Sequence, residues 1–232
     1  MSPSALIFGA GSGISASFAR LLAREGYRVA LAARREDKLE ALAKETGALV
    51  FGADATKLDE VAAVFTELDR AFGRLDVVLY NASARLRGPF AELEPAAVAR
   101  SLSVSAYGGF LVAQEAAKRM LRQGAGAILF TGASASIKGY PQSAPFAMGK
   151  FALRGLAQSM ARELAPKGIH VAHFVIDGAV RSEEAGRVEG KGDPPDGLLD
   201  PDAIAETYWH VLKQPRSAWT WEVELRPWME RF

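Results

Sequence analysis

Seven short runs of apolar and β-branched residues punctuate the chain, at 5–8, 29–33, 49–51, 77–80, 127–130, 171–176 and 222–225. Each has the length of a strand buried on both faces. Between them lie longer segments with apolar residues at helical spacing, such as Phe18, Leu21 and Leu22, then Val61, Val64, Phe65 and Leu68. Strand and helix alternating in this way predict a parallel sheet covered by helices on both faces, and right-handed crossovers make it doubly wound. Glycines fall just after the helical patterns, at 26, 47, 73, 124 with 126, and 168, where a left-handed residue ends a helix. Long helices are expected at about 96–121 and 146–164.

One segment breaks the alternation. Residues 177–200 are rich in Gly, Pro, Glu and Asp and follow directly on a predicted strand. A loop this long within a compact domain reads as a lid over a crevice or as a flexible insertion. No internal repeat and no linker divides the chain, so residues 1–232 are read as one domain.

Composition removes several chemistries. The 232 residues contain no cysteine, which excludes disulfide scaffolds, thiol nucleophiles and thiolate metal sites. The formal charge is +1 with no basic stretch, so nucleic acid is not an expected partner. Charges are expected to interrupt every apolar stretch short of the 18 or so residues a membrane span needs. A cytoplasmic protein with no membrane association is the resulting expectation.

The first predicted strand ends in Gly9-Ala10-Gly11-Ser12-Gly13-Ile14-Ser15, followed by a helix expected over about 16–25. Small residues between strand and helix let phosphates approach the backbone, and the helix N-terminus offers free N–H groups. The spacing is G-x-x-x-G-x-G, with Gly9 and Gly13 in place and Ser15 standing for the last glycine. Further marks follow in order: Asp54 after the third strand, Asn81-Ala82-Ser83 after the fourth, Lys150 near the start of a long helix, and Asp177-Gly178-Ala179-Val180 after the sixth.

Across nearly its whole length the chain therefore resembles the short-chain dehydrogenase/reductase family. The resemblance implies a Rossmann-type doubly wound sheet of about seven strands and a nicotinamide dinucleotide bound by Gly9, Gly11, Ser12, Gly13, Ile14, Asp54, Ala55, Asn81, Ala82, Ser83, Lys150, Gly178 and Val180. Where the second strand ends, Arg34 and Arg35 replace the acidic residue that would bind a ribose 2′-hydroxyl, which implies NADP(H) over NAD(H); nearby Glu36 and Asp37 leave NAD(H) open. Asp54 would bond the adenine amino group or, read by itself, cap a helix starting near Thr56. Asn81 would lie under the adenine ribose or close a turn. The helices at 96–121 and 146–164 resemble those with which the family pairs subunits, so a homodimer or homotetramer is expected. Phe110, Leu111, Phe151, Leu153 and Leu156 suit that interface or the core, and Trp219, Trp221, Trp228 and Phe232 a pocket, a contact or the core.

The family's reaction uses a tyrosine four residues before the lysine, a serine about thirteen residues before the tyrosine, and an asparagine in the preceding helix. Here the tyrosine position is Phe146, which has no hydroxyl. The serine position is Ala133, beside Ser134, and the asparagine position is Ser105. Lys150 remains, to hold the ribose or to pass a proton through water. Ser136, Ser143 and Tyr140 lie nearby without the helical spacing to Lys150; Tyr140, ahead of Pro141, is a packing residue or a phenol entering from its loop. General acid–base help is worth about 10² to 10⁴ in rate, so the loss of the tyrosine bears on chemistry and not on cofactor binding.

Other chemistries are weaker. Gly132-Ala133-Ser134-Ala135-Ser136 lacks the last glycine of a hydrolase elbow. His170 and His173, three apart on a strand, face opposite ways and do not chelate one metal. Gly149-Lys150 lacks the rest of a P-loop. Two readings stand: an NADP(H)-dependent oxidoreductase acting on an unidentified carbonyl or alcohol by a route without tyrosine, and a redox-inactive NADP(H)-binding sensor or partner subunit.

Overall fold

The computed structural model describes residues 2–190 and 194–230. A parallel seven-stranded sheet forms its centre, in the order β3-β2-β1-β4-β5-β6-β7. The strands are β1 (Ser4–Phe8), β2 (Arg28–Ala33), β3 (Leu49–Gly52), β4 (Val77–Tyr80), β5 (Gly126–Thr131), β6 (Ile169–Ile176) and β7 (Glu222–Leu225). All seven apolar runs are strands. β6 starts two residues earlier than its apolar run because His170, polar at that point, is accommodated: its Nε2 hydrogen-bonds the Thr220 carbonyl at 2.8 Å and its ring stacks on Trp219 at 4.6 Å.

Seven α-helices cover the sheet: α1 (Ile14–Arg24), α2 (Glu40–Thr46), α3 (Leu58–Phe72), α4 (Pro95–Leu102), α5 (Gly108–Gln123), α6 (Ala144–Leu164) and α7 (Pro201–Leu212). Successive strand residues feed opposite faces. Leu6 and Phe8 of β1 join Val64, Val112 and Leu153 in the core under α3, α5 and α6. Ala5 and Ile7 join Phe18, Ile204 and Tyr208 in the core under α1 and α7. The glycine expected to end α3, Gly73, takes φ +69°.

The helix expected over about 96–121 is not one regular helix. A π segment, Ser103–Tyr107, joins α4 to α5. There the Tyr80 hydroxyl donates to the Val104 carbonyl, a tertiary hydrogen bond that periodicity does not encode. The composite stretch, Pro95–Gln123, also corrects the expectation drawn from charge. It is long and apolar enough to cross a membrane, with a mean hydropathy of 1.3 in its most apolar window. In the fold, its Leu111, Val112, Ala116 and Met120 are buried in the core beside the sheet.

Strand order reverses between β1 and β4, which both pair with their neighbours in parallel register at Phe8, Ala32 and Tyr80. In an open parallel sheet this point leaves a crevice at the carboxyl ends of the strands. Of 177–200, residues 191–193 lie outside the described residues. Within the described part, an isolated bridge outside the sheet pairs Val180 with Leu199.

Candidate active site

The crevice above β1, β2 and β4 is a cleft of about 700 Å³. Its floor is the turn from β1 to α1. Gly9 has φ +82°, and a Cβ there would lie 2.2 Å from the Ala82 backbone nitrogen, so the residue must be glycine twice over. A Cβ on Gly11 or Gly13 would meet nothing within 4 Å. That space is open to a ligand. Gly13 caps α1 without any side-chain hydrogen bond, which leaves the helix amides for an anion. Ser15, in place of the last glycine, donates to the Gly9 carbonyl at 3.2 Å, and Asn81 Nδ2 donates to Ser15 Oγ at 2.7 Å. Asn81 thereby ties the loop after β4 to the glycine turn.

Arg34, Arg35 and Lys38 line the cleft beyond β2. Arg35 approaches Asp37 at 3.8 Å, both side chains being mostly exposed. Glu36 lies elsewhere, its carboxylate against Gly52 of β3. The acids near the end of β2 therefore leave Arg34 and Arg35 as the charged lining. Asp54 lines the cleft while its Oδ1 accepts from the Thr56 amide and hydroxyl at 2.9 Å each. Asp54 therefore holds the turn before α3 but does not cap the helix, which starts at Leu58 behind Lys57. Ala55, Ala82 and Ser83 complete this wall. Sequence reasoning missed Glu184, whose carboxylate accepts from the Ser12 hydroxyl and pairs with Lys38 at 3.4 Å.

A second cavity, of about 480 Å³, adjoins the first and shares Asn81 and Ser83 with it. Ile14, Gly178 and Val180 lie on its cofactor side, and Ser134, Phe146 and Lys150 on the other. One helical turn of α6 separates Phe146 from Lys150. The Lys150 ammonium lies 5.9 Å from the Phe146 ring centre. Lys150 is 2% exposed and its Nζ donates to the Thr131 carbonyl at 2.7 Å. Burial without an acidic partner lowers its pKa to about 8.

Tyr140 enters the same cavity from its loop. Ser105 does not line it: buried in the π segment, its Oγ accepts from the Ala84 amide at 3.2 Å. Ser136 and Ser143 are also buried away from it. Ser136 Oγ accepts from the Ala133 amide at 3.1 Å and meets His173 Nε2 at 3.3 Å, while His173 Nδ1 donates to Glu222 at 3.1 Å. This Ser–His–Glu chain has a nucleophile with no exposed surface, so it braces the loop after β5 and performs no hydrolysis. His170 and His173 have separate partners, as their spacing predicts. Phe110 and Phe151 are about two-fifths exposed, whereas Leu111 and Leu153 are core. Trp221 packs on the core and Trp228 is exposed; Phe232 lies outside the described residues.

Residues 3–189 match the family model of the short chain dehydrogenases. The chain belongs to that family. A short-chain dehydrogenase from Rhodopseudomonas palustris is 37% identical, with a TM-score of 0.83 over 97% of this chain and 99% of that one. An alcohol dehydrogenase from the archaeon Thermococcus sibiricus, solved with 5-hydroxy-NADP, is 30% identical with a TM-score of 0.85, covering 99% and 98%. Sorbitol-6-phosphate 2-dehydrogenase of Escherichia coli K12 is 32% identical over 190 residues, 78% of this chain and 73% of that protein.

Proposed function

We propose that the chain is an NADP(H)-dependent oxidoreductase that interconverts a carbonyl and an alcohol, with the proton passing through Lys150 and water in place of a tyrosine. The observation that carries this reading is Lys150 itself: a buried ammonium with no ion pair among the described residues, its pKa lowered to about 8 by burial, in a cavity that adjoins the cleft. The open space at Gly11 and Gly13, beside an uncapped helix N-terminus, fits a pyrophosphate. Arg34 and Arg35 fit a 2′-phosphate. The likeness to an alcohol dehydrogenase solved with an NADP derivative supports the same coenzyme.

When bound, the coenzyme supplies or accepts hydride. Lys150 would hold its nicotinamide ribose and keep a proton at Nζ near the substrate oxygen. Ser134, in the same wall, would orient that oxygen. Phe146 offers an apolar face and no proton. Exposed Tyr107, Phe110 and Phe151 on the helical face support pairing of two copies, which light scattering would measure. We place the protein in the cytoplasm, where a cysteine-free chain is at no disadvantage.

The test is NADPH oxidation with a panel of aldehydes and ketones, using the parent chain, Lys150→Ala and Phe146→Tyr. Turnover by the parent that Lys150→Ala abolishes is expected, with Phe146→Tyr faster by about 10² as the phenol regains its place one turn from the lysine. Coenzyme binding with turnover only in Phe146→Tyr would overturn the Lys150 route.

A further inference from the structure

The second cavity contains more positive charge than carbonyl chemistry needs. Arg85 lies two residues beyond the Asn81–Ser83 stretch, and its guanidinium lies over the Phe146 ring, 5.4 Å from its centre. It has no hydrogen bond or ion pair among the described residues. An aromatic face holds a guanidinium in position without consuming its five N–H donors. Arg187 also lines the cavity; its Nε donates to the Val180 carbonyl at 2.8 Å, and it has no ion pair among the described residues.

The acids do not balance these groups. Asp177 lines the cavity, but Lys138 holds it at 3.1 Å and Arg226 approaches it at 3.8 Å. Among the described residues lining the cavity, Glu230 is the one other acid beside Arg85, Arg187 and Lys150. Arg85 is also depressed from the usual guanidinium value, first by burial and then by the like charges of Arg87 and Arg187. An unpaired group of cations beside an apolar ring suits an organic anion.

We propose that this cavity selects carbonyl or alcohol substrates that carry a carboxylate or phosphate, with Arg85 as the recognising side chain and Arg187 assisting. The proposal rests on the reading of the cavity as the site of carbonyl chemistry. Arg85 and Lys150 attend the same Phe146 ring, so the anionic group sits within one small molecule's length of the reacting carbon. The ring itself covers the carbon skeleton between them.

Two matched pairs of probes test it: 4-carboxybenzaldehyde against its methyl ester, and dihydroxyacetone phosphate against dihydroxyacetone. The pairs distinguish carboxylate from phosphate. In the parent chain, the charged member of at least one pair is expected to have the higher kcat/KM by about tenfold or more, the worth of one charge-assisted contact. Arg85→Met should bring that ratio down by about the same factor, and Arg85→Lys should restore part of it. NADPH binding by the variants checks that they are folded. Equal rates within both pairs, or an unchanged ratio in Arg85→Met, would overturn the proposal.

Calorimetric titration of 4-carboxybenzaldehyde and dihydroxyacetone phosphate into the protein, with and without NADPH, needs no turnover. Anion binding that Arg85→Met weakens, with no turnover of any probe, keeps the anion site and overturns the oxidoreductase reading. Neither binding nor turnover of the charged probes overturns the anion site.

Discussion

Replacing Lys150 by Met isolates the buried charge on which the proposed chemistry depends. Burial lowers the lysine pKa from 10.5 to about 8 in the folded chain. Below pH 8 both folded and unfolded chains carry the proton, and the fold bears the full cost of a desolvated ammonium, about 3 kcal/mol for that shift. Between pH 8 and 10.5 the folded chain has released a proton that the unfolded chain still holds, so stability rises with pH. From pH 7 to pH 10 the gain is about 2.5 kcal/mol. The methionine variant lacks this gain. Near pH 7 the two proteins should differ little in stability, because relief from desolvation is offset by loss of the hydrogen bond to the Thr131 carbonyl, worth about 1.5 to 3 kcal/mol when charged. Urea unfolding of both proteins without coenzyme, at half-unit steps from pH 7 to 10, measures the difference and cancels the titration of every other group. Parallel stability profiles would refute a buried ammonium with a lowered pKa, and with it the idea that Lys150 exchanges protons near pH 8.

Three further outcomes follow from the geometry. Gly9→Ala should lose at least about 2 kcal/mol in urea unfolding, since the methyl group meets the Ala82 backbone at positive φ, whereas Gly11→Ala should keep its stability and lose NADPH affinity by filling the cradle. Arg34→Ala with Arg35→Ala should weaken NADPH binding by about tenfold or more in fluorescence titration and change NADH binding far less; equal losses would remove the 2′-phosphate from the account. His173, whose pKa burial lowers to about 4 despite Glu222, refuses a proton that the unfolded chain takes up near 6.5. The parent should therefore lose about 2.5 kcal/mol of stability from pH 6.5 down to 4 relative to His173→Gln, measured by acid-dependent urea unfolding.

The strands, their parallel arrangement and the glycine turn could be read from the chain because each rests on short-range chemistry. A strand buried on both faces must be an apolar run, and a phosphate cradle at a helix N-terminus must be built from consecutive small residues. The same locality made the Phe146 and Lys150 spacing legible. What the sequence left open depends on groups far apart in the chain. The π segment between α4 and α5 involves the Tyr80 hydroxyl, and the boundary of β6 involves Trp219 and Thr220. Ser105, expected from its spacing to stand at a catalytic position, is buried with its hydroxyl on the Ala84 amide. Asp54 faces the cleft and holds a turn together.

The sequence by itself determined that this chain folds as a doubly wound sheet with a dinucleotide turn, and that a phenylalanine stands four residues before Lys150. Only the tertiary structure decided the electrostatics around that ring. Arg85 reaches Phe146 from the loop after β4, Arg187 arrives from beyond β6, and Lys150 loses its water where α6 brings it to the Thr131 carbonyl. Charge, solvation and proton affinity are properties of a place in three dimensions, set by every element that borders it, and a linear pattern records only the residues that come to meet there.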